Sequence, residues 1–126
     1  VGYYIHAGNK IASLVSLSQK IEQSQELSKN IAMQVAAMNP ISLDENHVDQ
    51  KIIEKEIEIA KEQLRQEGKP ESMLDNIAKG KLKRFFKDNT LLNQAYIKEN
   101  KISVNSYIKS ISPSIEVNSF ARVSLV

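Results

Sequence analysis

The chain of 126 residues contains no cysteine. That absence removes disulfides, thiolate catalysis and cysteine-ligated zinc at once, and it fits a reducing cytosol. Surplus charge is missing as well. Seventeen basic and 15 acidic side chains leave a net charge of +2, whereas a dedicated nucleic-acid binder carries a strongly basic balance. No apolar run exceeds five residues, against the roughly 20 that a membrane helix needs. Neither a membrane nor DNA is therefore expected as a partner. No charged segment followed by an apolar one, the pattern of a secretory signal, opens the chain. It starts inside a strand-like segment without an initiator methionine, as expected of a piece of a longer protein.

Chemistry-bearing patterns are scarce too. The four glycines, at 2, 8, 68 and 80, form no phosphate-cradling loop. The two histidines, His6 and His47, have no metal-ligand spacing and no cluster of Cys, His or carboxylate beside them, so neither a metal nor a cofactor is expected. No G-x-S-x-G nucleophile motif occurs. Glu54 and Glu58 share a helix face, but Lys51, Lys55 and Lys61 balance them, which reads as a solvated surface. A small enzyme has no residue constellation behind it.

What is present is a pattern of elements. A hydrophobic content of 41% supports one core, and a single domain over 1–126 is expected. Val1, Tyr3 and Ile5 alternate with Gly2, Tyr4 and His6, the period of a half-buried strand anchored by Tyr3 and Ile5. Ala7-Gly8-Asn9 supplies turn chemistry. Ile11, Ser13, Val15 and Leu17 then alternate as the return strand of a hairpin. Ser24 suits an N-cap, with Glu26 in the first turn and Leu27, Ile31, Val35 and Met38 at helical spacing. Pro40 ends that helix.

A charged helix from about Asp49 to Gln66 carries Ile53, Ile57, Ala60 and Leu64 as a narrow stripe. Gly68 fits the position just past its end, and Pro70 opens a further helix to about Lys87 with Leu74, Ile77, Ala78, Leu82 and Phe85. The spacing predicts an antiparallel helical hairpin over about 49–87 that protrudes, because a narrow stripe covers one partner helix and not a broad core. Thr90 to Asn100 reads as irregular. Ser103 caps a short helix broken by Pro113. Ile115, Val117, Ala121, Val123 and Leu125 alternate as a third strand. The expected fold is α+β: a small three-stranded antiparallel sheet packed by helices, with the helical hairpin projecting.

Two features bear on function. Lys79, Lys81, Lys83, Arg84 and Lys87 form the one basic cluster, in the last turns of a helix that begins with Glu71 and Asp75. The helix macrodipole favours that polarity by itself, and contact with RNA phosphates is the alternative. His6 beside the Gly-Asn tip is either a tolerated polar residue or a side chain that inserts into a partner, and pattern alone favours the first.

The order YYIHAGNKIASLVSLS, ELSKNIAMQVAAMNP and IIEKEIEIAKEQLRQEGKPESMLDNIAKGKLKRFFKDNTLLNQAYI resembles the C-terminal half of the elongation factor Ts family, nearly end to end. Its most specific parts are the Tyr-x-His-x-Gly region, the IAMQVAA-x-x-P helix and KGKLKRFFK followed by LLNQAYI. The resemblance implies a cytoplasmic nucleotide exchange factor that binds the GTPase elongation factor Tu and speeds GDP release without bond chemistry of its own. It also implies a core of two related α+β halves, the second bearing a helical hairpin. The family's Tyr-x-His-x-Gly histidine contacts the partner, which carries onto His6 with Ala7, Gly8 and Asn9 as turn neighbours, and less directly onto Asn30 and Gln34. These 126 residues contain neither the family's N-terminal helical domain nor its Thr-Asp-Phe-Val motif, which in the family disturbs the nucleotide site. The expectation is docking more than exchange. An RNA- or ribosome-binding module using Lys79 to Lys87 is the alternative, and self-association through a sheet edge or the helical hairpin is a structural one.

Overall fold

A computed structural model of the chain describes residues 1–6, 10–19 and 22–125. The fold is α+β. The elements run β1 (Gly2–Ile5), β2 (Ile11–Leu17), α1 (Ser24–Met38), a 3-10 turn (Glu45–His47), α2 (Gln50–Gln66), α3 (Glu71–Asn89), β3 (Ala95–Tyr96), β4 (Glu99–Ser103), α4 (Val104–Ile111) and β5 (Val117–Ser124). A three-stranded antiparallel sheet has the order β1-β2-β5, and β3 and β4 form a separate two-stranded sheet.

Helix α1 crosses one face of the larger sheet, and its apolar stripe of Leu27, Ile31, Ala32 and Val35 is the centre of the core. Leu91, Tyr96, Val104, Ile108 and Ile115 close the core from the other side. The helix ends as its sequence requires. Asn39 adopts a left-handed conformation at φ 46° and its N–H reaches the Val35 carbonyl at 3.0 Å before Pro40 stops the chain. Its start differs from expectation: Ser24 is the first helical residue, and Gln23 holds the cap position with no side-chain capping bond.

The sheet corrects two expected faces. In β1 it is Gly2 and Tyr4 that face α1, while Tyr3 and Ile5 are 65% and 53% exposed on the opposite side. The reason is close approach. A Cβ at Gly2 would lie 2.8 Å from the backbone carbonyl carbon of Ser28, so the helix crosses β1 where glycine leaves room for it. In β5 the pairing shifts between Ser16 and Leu17, which oppose Ser119 and Val117 and leave Asn118 over. That extra residue inverts the alternation. Val117 is buried, then Phe120 and Arg122 turn inward and Ala121 and Val123 outward. Arg122 Nε donates to the Ala36 carbonyl at 3.2 Å, tying the strand to the end of α1.

The helical hairpin follows its expected boundaries closely. Asp49 caps α2 by accepting from the Lys51 N–H at 3.0 Å. Gly68 takes φ 79°, and the Lys69 N–H reaches back to the Leu64 carbonyl at 3.0 Å. Pro70 sits at the cap position of α3, one residue before the first turn. Ala60 and Leu64 bury against Leu74 and Ala78 along a narrow seam. Lys61 pairs with Asp75 at 2.7 Å, and Arg65 with Glu71 at 3.0 Å. Helices α2 and α3 pack on each other and on no other helix or strand to a comparable extent, so the pair projects from the sheet body.

The segment expected to be irregular, Thr90 to Asn100, instead contains β3 and the start of β4. It is tied to the body by backbone bonds from the Leu91 and Leu92 N–H groups to the Ser42 and Leu43 carbonyls, both at 2.9 Å. Ser103 caps α4 as expected, its Oγ accepting from the Ser106 N–H at 3.1 Å.

Candidate functional site

His6 stands at the end of β1, exposed to solvent. Its backbone N–H donates to the Ile11 carbonyl at 2.9 Å, which holds the two strand ends together. Its ring lies 6.3 Å from that of Tyr4, tilted by 53°. The strand pairing therefore fixes where the imidazole sits while the fold leaves it uncovered. Ala7, Gly8 and Asn9, its expected neighbours in a docking turn, lie outside the described residues.

Beside this end, the sheet presents an apolar outer face. Pairing aligns Tyr3 with Leu14 and Ala121 in one row, and Ile5 with Ala12 and Val123 in the next. Leu14 is 51% exposed and Val123 62%. Together they line a shallow depression of about 240 Å³. Residue-by-residue reading missed this face because it assigned Tyr3 and Ile5 to the core. A signal was present: β2 is apolar at both parities, with Val15 inward and Leu14 outward, the pattern of a strand covered on both faces.

The structure does not bring Asn30 and Gln34 to this surface. Both sit on the side of α1 that faces β3, β4 and α4. Gln34 has no exposed surface. Its Nε2 donates to Ala95 O at 3.0 Å and Gln94 Oε1 at 3.2 Å, and its Oε1 accepts from the Ile97 N–H at 2.9 Å. The side chain expected at a polar helix position is an internal brace for the β3–β4 hairpin, because an amide there satisfies backbone groups that the short strands leave open. Asn30 is 6% exposed. Its Nδ2 donates to the Tyr107 hydroxyl at 2.9 Å and its Oδ1 accepts from Lys98 Nζ at 2.7 Å, so it presents Lys98 and itself stays covered. Tyr107 stacks on Tyr96 with centroids 4.2 Å apart. Burial, with Tyr107 beside it, pushes the Tyr96 phenol well above its ordinary range.

Among the described residues no three His, Cys, Asp or Glu side chains are grouped to hold a metal, and no helix is long and apolar enough to cross a membrane.

Comparison with known proteins points to one family. The family model described as elongation factor TS matches residues 1–125. Elongation factor Ts of Christiangramia forsetii is 62% identical over 125 residues, which cover 99% of this chain and 46% of that protein. The Flavobacterium psychrophilum protein of the same name is 59% identical over 125 residues, with the same coverage of 99% and 46%. That of Nitratidesulfovibrio vulgaris is 38% identical over 135 residues, covering 99% of this chain and 68% of the relative. The chain thus spans about half the length of the first two relatives, and the family match over 1–125 together with these identities settles the family: the chain belongs to the elongation factor Ts family.

Proposed function

We propose that these 126 residues are the C-terminal core half of a translation exchange factor and that they dock on elongation factor Tu in the cytoplasm, supplying binding more than nucleotide release. The observation that supports this most is His6, held by strand pairing at an uncovered sheet end next to an apolar face. Family membership supports the partner. Exchange requires that the nucleotide-free GTPase be bound better than its GDP form, so the free energy of distortion must come from contacts elsewhere. A remote docking surface provides affinity, and the Thr-Asp-Phe-Val element that disturbs the nucleotide in the family does not occur in these residues. The partner contacts are His6, Ala7, Gly8 and Asn9, with Asn30 and Gln34 acting from behind by positioning Lys98 and the β3–β4 hairpin.

Calorimetric titration into nucleotide-free elongation factor Tu tests this reading. Saturable binding is expected, weakened by His6→Ala by about 1 kcal/mol or more, as for a buried interface contact. Unchanged binding in the variant removes His6 from the surface.

The outer sheet face favours a second contact. A contiguous apolar patch on a soluble body marks an interaction site, and self-association through Tyr3, Ile5, Leu14 and Val123 buries it. Light scattering is expected to show a dimer that Leu14→Lys converts to monomer; a wild-type monomer at all concentrations rules this contact out.

A further inference from the structure

The C-terminal half of α3 borders an open groove of about 900 Å³ whose lining shares no residue with the proposed docking surface. Leu82 and Phe86, one turn apart and half-buried, form its floor. Lys79, Lys83 and Lys87 form one wall at successive fourth positions, a repeat of about 6 Å along the helix. Glu45 of the 3-10 turn also lines the groove, its Oε2 accepting from Asn93 Nδ2 at 2.7 Å. Lys79 contributes to the field that holds the Asp75 carboxyl below its usual range, after the larger effect of Lys61. Among the described residues, Lys83 and Lys87 take part in no ion pair.

Gly80 adds an independent observation. It lies within α3, lines the groove, and a Cβ built there meets nothing within 4 Å. A glycine inside a helix is destabilising, and the packing of this chain does not require one here. It leaves the helix backbone open to close approach from outside.

We propose that this groove is a docking site for an acidic amphipathic helix of a protein partner, its apolar side chains on Leu82 and Phe86 and its carboxylates on Lys83 and Lys87. Charge complementarity selects the occupant. A partner helix with glutamates at every fourth position has the same repeat as the lysine wall, and its apolar stripe matches the floor. A nucleic-acid backbone matches less well. It has no use for the apolar surface of Leu82 and Phe86.

Fluorescence anisotropy on the full 126-residue chain tests this with three labelled probes: a synthetic 14-residue helix with glutamates four apart flanking a leucine stripe, a scrambled peptide of the same composition, and an oligouridylate. The patterned peptide is expected to bind saturably and at least tenfold tighter than either other probe. Lys83→Ala and Lys87→Ala should each weaken it about two- to fivefold, the range of an exposed ion pair. Gly80→Leu should block it while the helical circular dichroism is retained. Equal binding of the scrambled peptide, tighter binding of oligouridylate, or patterned-peptide binding that is absent or indifferent to these substitutions overturns the proposal.

Discussion

Gln34 shows how a polar residue at a helical position becomes structural. Its amide reaches Gln94, Ala95 and Ile97 from full burial, so Gln34→Leu leaves the Ala95 carbonyl and the Ile97 N–H without their partner. A loss of about 1–3 kcal/mol is expected, read as a lower urea midpoint with an unchanged slope. Gly2→Ala drives a methyl group against Ser28 and should destabilise by about 1–3 kcal/mol on the same measure. Tyr96 sets a limit at high pH. Its phenol is held neutral in the fold, with its pKa raised first by burial and then by Tyr107. The stability it contributes is complete below the unfolded value of about 10 and is lost as pH rises above it, because only the unfolded chain ionises readily. Thermal denaturation in steps from pH 9 to 11 should show a decline that Tyr96→Phe flattens.

At the scale of elements, the helical hairpin was legible because local signals suffice for it. Its stripe, the Asp49 cap and Gly68 at φ 79° each act within a turn or two of the residues that carry them. Gly68→Ala places a Cβ in left-handed backbone and should cost about 1–2 kcal/mol, whereas Gly80→Ala, with helical backbone and open space, should stabilise by about 0.5–1 kcal/mol. Comparing the two midpoints separates a required glycine from one that the fold merely tolerates. The strands were less legible for a physical reason. Which face of β1 is buried depends on where α1 crosses it, a contact with Ser28 far along the chain. The inversion within β5 depends on its pairing with β2. Strand β3, at two residues, is too short to show a period and is held by Gln34 from another element. Of the candidate site, His6 was named from family resemblance alone; its exposure at the strand end and the apolar face beside it emerge only once both strands are paired.

For the whole molecule, the fold separates its surfaces. The sheet end carries the exposed histidine and the apolar rows, and the hairpin carries charge on a seam of its own. On the function proposed above, docking and nucleotide release are separable tasks, the first assigned to these residues. The direct test is the rate at which fluorescent GDP leaves elongation factor Tu, measured with a full-length elongation factor Ts and increasing amounts of this chain. The account predicts that the chain alone does not match the full-length factor, that it slows the factor's reaction by competing for the docking surface, and that His6→Ala weakens this inhibition. Release by the chain alone as fast as by the full-length factor, or no effect on the factor's reaction at any concentration, would contradict it.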